Sequence, residues 1–137
     1  MRRTFTIMIT AVIALFLFQP MASAGSPHFV DVSVERSGDD LIVSGKEAGL
    51  GNETQVHIEV TADAACINPG SKHPKAANKE SFSAEGDFPV QNGKAEFELT
   101  LSASFQPDCS PPMTVVWTNV VVSDTEHGVT KSFPGTF

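Results

Sequence analysis

The sequence predicts an all-β fold, a single immunoglobulin-like or fibronectin-like antiparallel β-sandwich of about seven strands over residues 25–137. Three observations predict it. Apolar residues recur with period two in one segment after another, and nothing beyond residue 24 sustains the 3.6-residue period of an amphipathic helix. Clusters of Gly, Pro, Asn, Asp and Ser punctuate those segments as turns. Removing a 24-residue export signal from 137 residues leaves 113, enough for one domain and too few for a second core. With 41% hydrophobic and 18% charged residues, the remainder has the mass for a core and too little charge for intrinsic disorder.

The chain opens with Met1, Arg2 and Arg3, runs apolar from Ile7 to Phe18, and reaches Ala22-Ser23-Ala24 before Gly25. This is the three-part layout of a cleaved secretory signal over residues 1–24. Its 12-residue apolar core is shorter than the roughly 18 to 20 residues that span a bilayer. No later segment is long and apolar enough to anchor the chain, and no cysteine follows the cleavage point to carry a lipid. The expected location is secreted or periplasmic. Arg2-Arg3-Thr4-Phe5 carries part of a twin-arginine pattern, which leaves the export route open between the general and twin-arginine systems.

The strands follow in order. Val30, Val32 and Val34 alternate with polar residues, and Ser37-Gly38 turns the chain into a second strand carrying Leu41 and Val43. Gly45 to Asn52 holds three glycines and reads as a loop. Val56, Ile58, Val60 and Ala62 mark the third strand, whose inward parity continues to Cys66. Phe82, Ala84, Gly86, Phe88 and Val90 mark the fourth, and Ala95, Phe97, Leu99, Leu101 and Ala103 the fifth. Asn92-Gly93 is a strong hairpin signal. Centring on it pairs Val90 with Ala95, Phe88 with Phe97 and Ala84 with Leu101. Pro89 would fill a hydrogen-bonded site in a two-residue loop, so a four-residue loop is expected, with the fourth strand near a sheet edge. Thr114 to Val122 is apolar on both faces and reads as central, and Val129 to Phe133 closes the set.

In a chain of reversing strands, the third-to-fourth and fifth-to-sixth connections emerge at one end, and these carry Cys66 and Cys109. A shared end and an export signal predict a disulfide between them. Around them stand Cys66-Ile67-Asn68-Pro69-Gly70, Lys75-Ala76-Ala77-Asn78-Lys79 and Asp108-Cys109-Ser110-Pro111. Trp117 to Thr125, Phe133-Pro134-Gly135-Thr136-Phe137 and Ala48-Gly49-Leu50-Gly51 complete a pattern that resembles a group of small secreted β-rich proteins of actinobacteria and filamentous fungi. The resemblance implies export, a β-rich fold and the disulfide, and carries over no catalytic residue.

Once Arg2 and Arg3 leave with the signal, seven basic residues face sixteen acidic ones, a net charge of −9, which disfavours nucleic acid as a partner. Three of those seven, Lys72, Lys75 and Lys79, cluster beside His73 and form a candidate partner-binding loop for a small anionic group, or simply a solvated loop. The expected hairpin register gathers Glu85, Asp87, Glu96 and Glu98 on one outward face, with Asp87 opposite Glu98. Such a face offers the oxygen ligands calcium prefers, or is merely solvated. His28, His57, His73 and His127 stand in no helical metal motif, there is no Gly-x-Ser-x-Gly elbow, and no cofactor is implied. Trp117 reads as core, and Asn52-Glu53-Thr54 is a glycosylation sequon with meaning only in a eukaryotic secretory pathway. The leading reading is a non-catalytic module that presents loops 67–79 and 104–112 to an unknown extracellular protein. The alternatives are a small hydrolase or metal-dependent enzyme using His and carboxylate groups near a sheet end, and a structural envelope or matrix module.

Overall fold

The structure is a computed structural model that describes residues 26–69 and 78–137. The signal at 1–24 and the loop residues Lys72, His73 and Lys75 lie outside the described residues. Seven antiparallel strands make an all-β fold: β1 (His28–Ser37), β2 (Asp40–Ala48), β3 (Gln55–Ile67), β4 (Lys79–Gln91), β5 (Lys94–Leu101), β6 (Thr114–Asp124) and β7 (Val129–Thr136). Their order is β1-β2-β5-β4-β3-β6-β7 in one nearly closed, barrel-like sheet. At the open seam the Arg36 side chain donates to the Phe137 carbonyl at 3.4 Å. Among the described residues no helix is long and apolar enough to cross a membrane.

Period-two patterning does the building. Val56, Ile58, Val60, Ala62 and Ala64 of β3, Ala95, Phe97, Leu99 and Leu101 of β5, and Val115, Trp117, Val120 and Val122 of β6 enter one core with Leu41 and Val43 of β2. Burying each Val, Leu or Ile side chain contributes about 1.5–3 kcal/mol, so the shared core is what holds the two halves of the sheet face to face. Trp117 is fully buried, and its indole N–H donates to the Asp39 carbonyl in the β1–β2 turn at 2.9 Å. Phe82 packs edge-on against Trp117 and Phe105.

Cys66 and Cys109 are joined, with Cα atoms 5.8 Å apart across 43 residues of sequence. The bond ties the end of β3 to the β5–β6 connection. In the chain-entropy account a loop of that length is worth about 4 kcal/mol. A disulfide fits an oxidising, non-cytoplasmic compartment.

Four expectations are corrected. The first concerns the β4–β5 hairpin, whose Asn92 and Gly93 both have positive φ, 53° and 76°, and form a two-residue loop with Gln91 opposite Lys94. Val90 does pair with Ala95, but the ladder ends there. Pro89 stands where the next hydrogen-bonded rung needs an N–H that proline lacks. β4 instead pairs with β3 from Pro89 back to Lys79, and Val90 N–H donates to the Thr54 carbonyl at 3.0 Å. Phe88 still reaches Phe97, ring to ring at 6.1 Å, without a backbone rung between them. Second, Asp87 therefore faces His57 on β3, not Glu98, which pairs with Ser44. Third, β2 continues through Gly45 to Ala48, where a loop was expected. Fourth, the β1–β2 register shifts between Val30 and Ser33, with Asp31 at φ 52°, so Phe29 turns inward against Phe97 in place of Val30. Gly45 permits the bulge: a Cβ there would lie 2.8 Å from the Val32 Cα.

Candidate functional site

Side-chain chemistry collects at three places. The first is the outward face near the disulfide. The β3–β6 register slips between Thr61 and Asp63, and Asn119 opposite takes a left-handed backbone, φ 52°. Asn tolerates that conformation better than most residues. Its amide donates to Asp63 Oδ2 at 2.8 Å, and Ser81 Oγ donates to Asp63 Oδ1 at 2.6 Å. These two bonds, Ser81's first, hold the Asp63 carboxyl below its ordinary range, outweighing the upward push of burial. A groove of about 480 Å³ runs beside this corner, lined by Ala65 on β3, Val116 on β6 and Lys79 at the start of β4. Ala65 lies between Lys79 and Val116 in the ladder, and its small side chain leaves the hollow. Lys79 is the one member of the basic set within the described residues.

The second place is the outward face of the β3–β4 pair. His57 Nδ1 lies 2.8 Å from Asp87 Oδ1, and Nε2 lies 3.3 Å from Glu85 Oε2. The Asp87 bond, then the Glu85 bond, raises the imidazole above its usual value. The carboxylates expected to share one face are thus divided. Glu85 and Asp87 flank His57, whereas Glu96 sits on β5 with Lys46 Nζ 3.6 Å away and Glu98 sits beside Ser44.

The third place lies at the end of the sheet opposite the disulfide, where the sequence named no site residues beyond a general alternative of His and carboxylate groups near a sheet end. Strand β2 sends Leu41 and Val43 into the core, and at the same parity it sends Glu47. Strand β6 sends in Val120 and Val122, and at the same parity Asp124. Both carboxylates are fully buried, 0% exposed. Asp124 Oδ1 accepts the amides of Glu126 at 3.0 Å and His127 at 3.2 Å, which fixes the β6–β7 turn. His127 then folds back, with Nδ1 2.5 Å from Asp124 Oδ2 and Nε2 2.8 Å from Glu53 Oε1. Glu53 is positioned by the β2–β3 connection, in which Leu50 is buried and hydrogen-bonds the Gly93 carbonyl and the Glu53 amide.

Glu47 has no such support. Neither of its carboxylate oxygens has a hydrogen-bond partner. Burial, then the adjoining Asp124 carboxylate, pushes its carboxyl up to about 8. Burial alone would lower His127, but its bonds to Glu53 and Asp124 outweigh that and raise it. Ligand atoms from Glu47, Asp124 and His127 all lie within 4.8 Å of one another. The sequence carried one signal for this cluster: Glu47 and Asp124 continue the inward alternation of their strands with an ionisable residue in an apolar slot.

No protein-family model, no curated protein and no solved structure matches this chain.

Proposed function

We propose that this protein is a secreted or periplasmic, non-catalytic module of immunoglobulin-like or fibronectin-like kind that binds an extracellular partner through its disulfide-tied end. The strand order supports the sandwich reading. β1, β2 and β5 form one group, β4, β3, β6 and β7 the other, and β4 pairs with β5 along the backbone through only its last two residues. Two groups of antiparallel strands around one core fit the sandwich architecture that immunoglobulin and fibronectin type III domains share. The likeness of the Cys66 and Cys109 segments to small secreted β-rich proteins points in the same direction.

The observation that carries the binding reading is the groove of about 480 Å³ with a fixed polar corner. Asp63 is held from two sides by Ser81 and Asn119, so the corner is ordered before any partner arrives. Lys79 stands on its rim and belongs to the loop set Lys72, His73, Lys75 and Lys79, which suits an anionic group on the partner. Lys79 is exposed, and an exposed charge contributes little to stability, so it can be changed without unfolding the domain.

The test is affinity capture from the native secretome with the purified protein as bait. A protein retained by wild type should be lost with Ala65→Phe, which fills the groove. It should be weakened in a salt-sensitive way when Lys72, Lys75 and Lys79 are all changed to Gln. Identical capture by wild type and both variants, each with unchanged circular dichroism, would refute the assignment.

A further inference from the structure

We propose that Glu47, Asp124 and His127 form a binding site for a divalent transition-metal ion of the zinc class, with Glu53 as the outer carboxylate that orients the imidazole. The starting point is Glu47. A carboxyl group placed in the core with both oxygens unpartnered costs free energy even when neutral, and folded proteins rarely leave buried polar atoms in that state. Its nearest functional groups are another fully buried carboxylate and a histidine, which together offer the donors a metal ion needs.

The spacing suits a bound ion. Ligand atoms about 2.1 Å from a tetrahedral centre lie about 3.4 Å apart. The three donors lie within 4.8 Å of one another, so closing around an ion takes side-chain movement of little more than about 1 Å.

The orientation of each donor also fits. Asp124 keeps Oδ1 on the turn amides of Glu126 and His127, so Oδ2 can face an ion while the β6–β7 turn stays intact. The imidazole presents Nδ1 toward Asp124 Oδ2 and Nε2 toward Glu53. Metal binding would release to solvent the proton that bridges Nδ1 and Asp124 Oδ2, and an N–H donated from Nε2 to Glu53 would then leave the Nδ1 lone pair for the metal. This is the carboxylate–histidine pairing by which outer groups fix the tautomer of a ligating histidine.

The donor chemistry selects the ion class. Calcium and magnesium take all-oxygen shells, whereas imidazole together with carboxylate suits zinc and its first-row neighbours. His57 with Glu85 and Asp87 offers similar groups on the outside, with both ring nitrogens engaged as in His127, but no carboxyl there is buried and unpartnered. It serves as an internal control.

Such an ion would bond β2 to β6, strands from the two groups that face each other across the core. It would close the molecule at the end opposite the disulfide, where the described residues hold no covalent tie.

The test is calorimetric titration and thermal unfolding of the purified protein after exhaustive chelation, with zinc, calcium and magnesium chlorides as probes. Zinc should bind one to one and, at a hundredfold excess over Kd, raise Tm by about 5–15 °C, with no response to calcium or magnesium. Glu47→Gln keeps the shape of the side chain and should abolish the zinc shift. His127→Gln, in the turn rather than the core, should do the same if the first variant folds poorly. Glu53→Gln should weaken zinc by about 10–100-fold. His57→Asn should leave the shift intact. No zinc response in wild type, a response retained in both Glu47→Gln and His127→Gln, or one lost in His57→Asn would each overturn the site, and a response to calcium alone would overturn the ion class.

Discussion

His57 sits between Asp87 and Glu85 on an open face, and its hydrogen bonds favour the charged ring. Its folded-state value lies above the unfolded one, so the stabilisation is complete below the unfolded value near 6.5 and is lost as pH rises through the folded value. Both carboxylate partners are largely solvent-facing, so screening keeps the contribution small. The expected outcome by NMR titration is a His57 midpoint above 6.5 that falls in Asp87→Asn. An unchanged midpoint in that variant would show that the pairing has no influence on the ring. Asp63 is the mirror case. Its carboxyl is lowered by Ser81 and Asn119, so its contribution is present above its ordinary value and lost as pH falls through the depressed one.

At the scale of the strand, single residues decide which neighbour a segment pairs with. Pro89 ends one ladder by lacking a donor, and Gly45 lets β1 bulge by lacking a Cβ. Gly45→Ala would set its Cβ 2.8 Å from the Val32 Cα, a contact with backbone that cannot rotate away. Forcing extra volume into such a place costs about 1–3 kcal/mol. Denaturant unfolding should show a loss of that size, and a neutral Gly45→Ala would mean that β1 does not approach so closely. β3 and β5 were legible in the sequence because their apolar alternation runs unbroken, β6 because it is apolar on both faces, and strand reversal placed Cys66 and Cys109 at one end. The end of β2 was not, because Gly45, Lys46 and Glu47 read as loop composition although they continue a strand. Pro89 was visible, but its effect depends on which strand offers a better partner, and that is a property of β3, not of the hairpin. The same limit hid the carboxylate cluster: Glu47 and Glu53 meet Asp124 and His127 only through the tertiary fold.

Across the whole molecule, seven strands of one nearly closed sheet surround a single core that includes Trp117, and each end of that sheet has its own means of keeping the strands together. At one end Cys66–Cys109 ties β3 to the β5–β6 connection. Its expected contribution of about 4 kcal/mol is a large part of the 5–15 kcal/mol that stabilises a typical domain. The outward groove, with Lys79 in its lining, stands at that tied end, so the proposed partner surface rests on strands rather than on loops alone. At the other end two inward carboxylates take slots that an apolar pair would fill more cheaply, and a bound cation accounts for their presence. The most direct measurement is an anomalous difference map at the zinc edge from crystals of chelated protein soaked in zinc. The account predicts one strong peak bounded by Glu47, Asp124 and His127, with Glu53 on the far side of the imidazole. A map with its peak at His57, or with none, would contradict it.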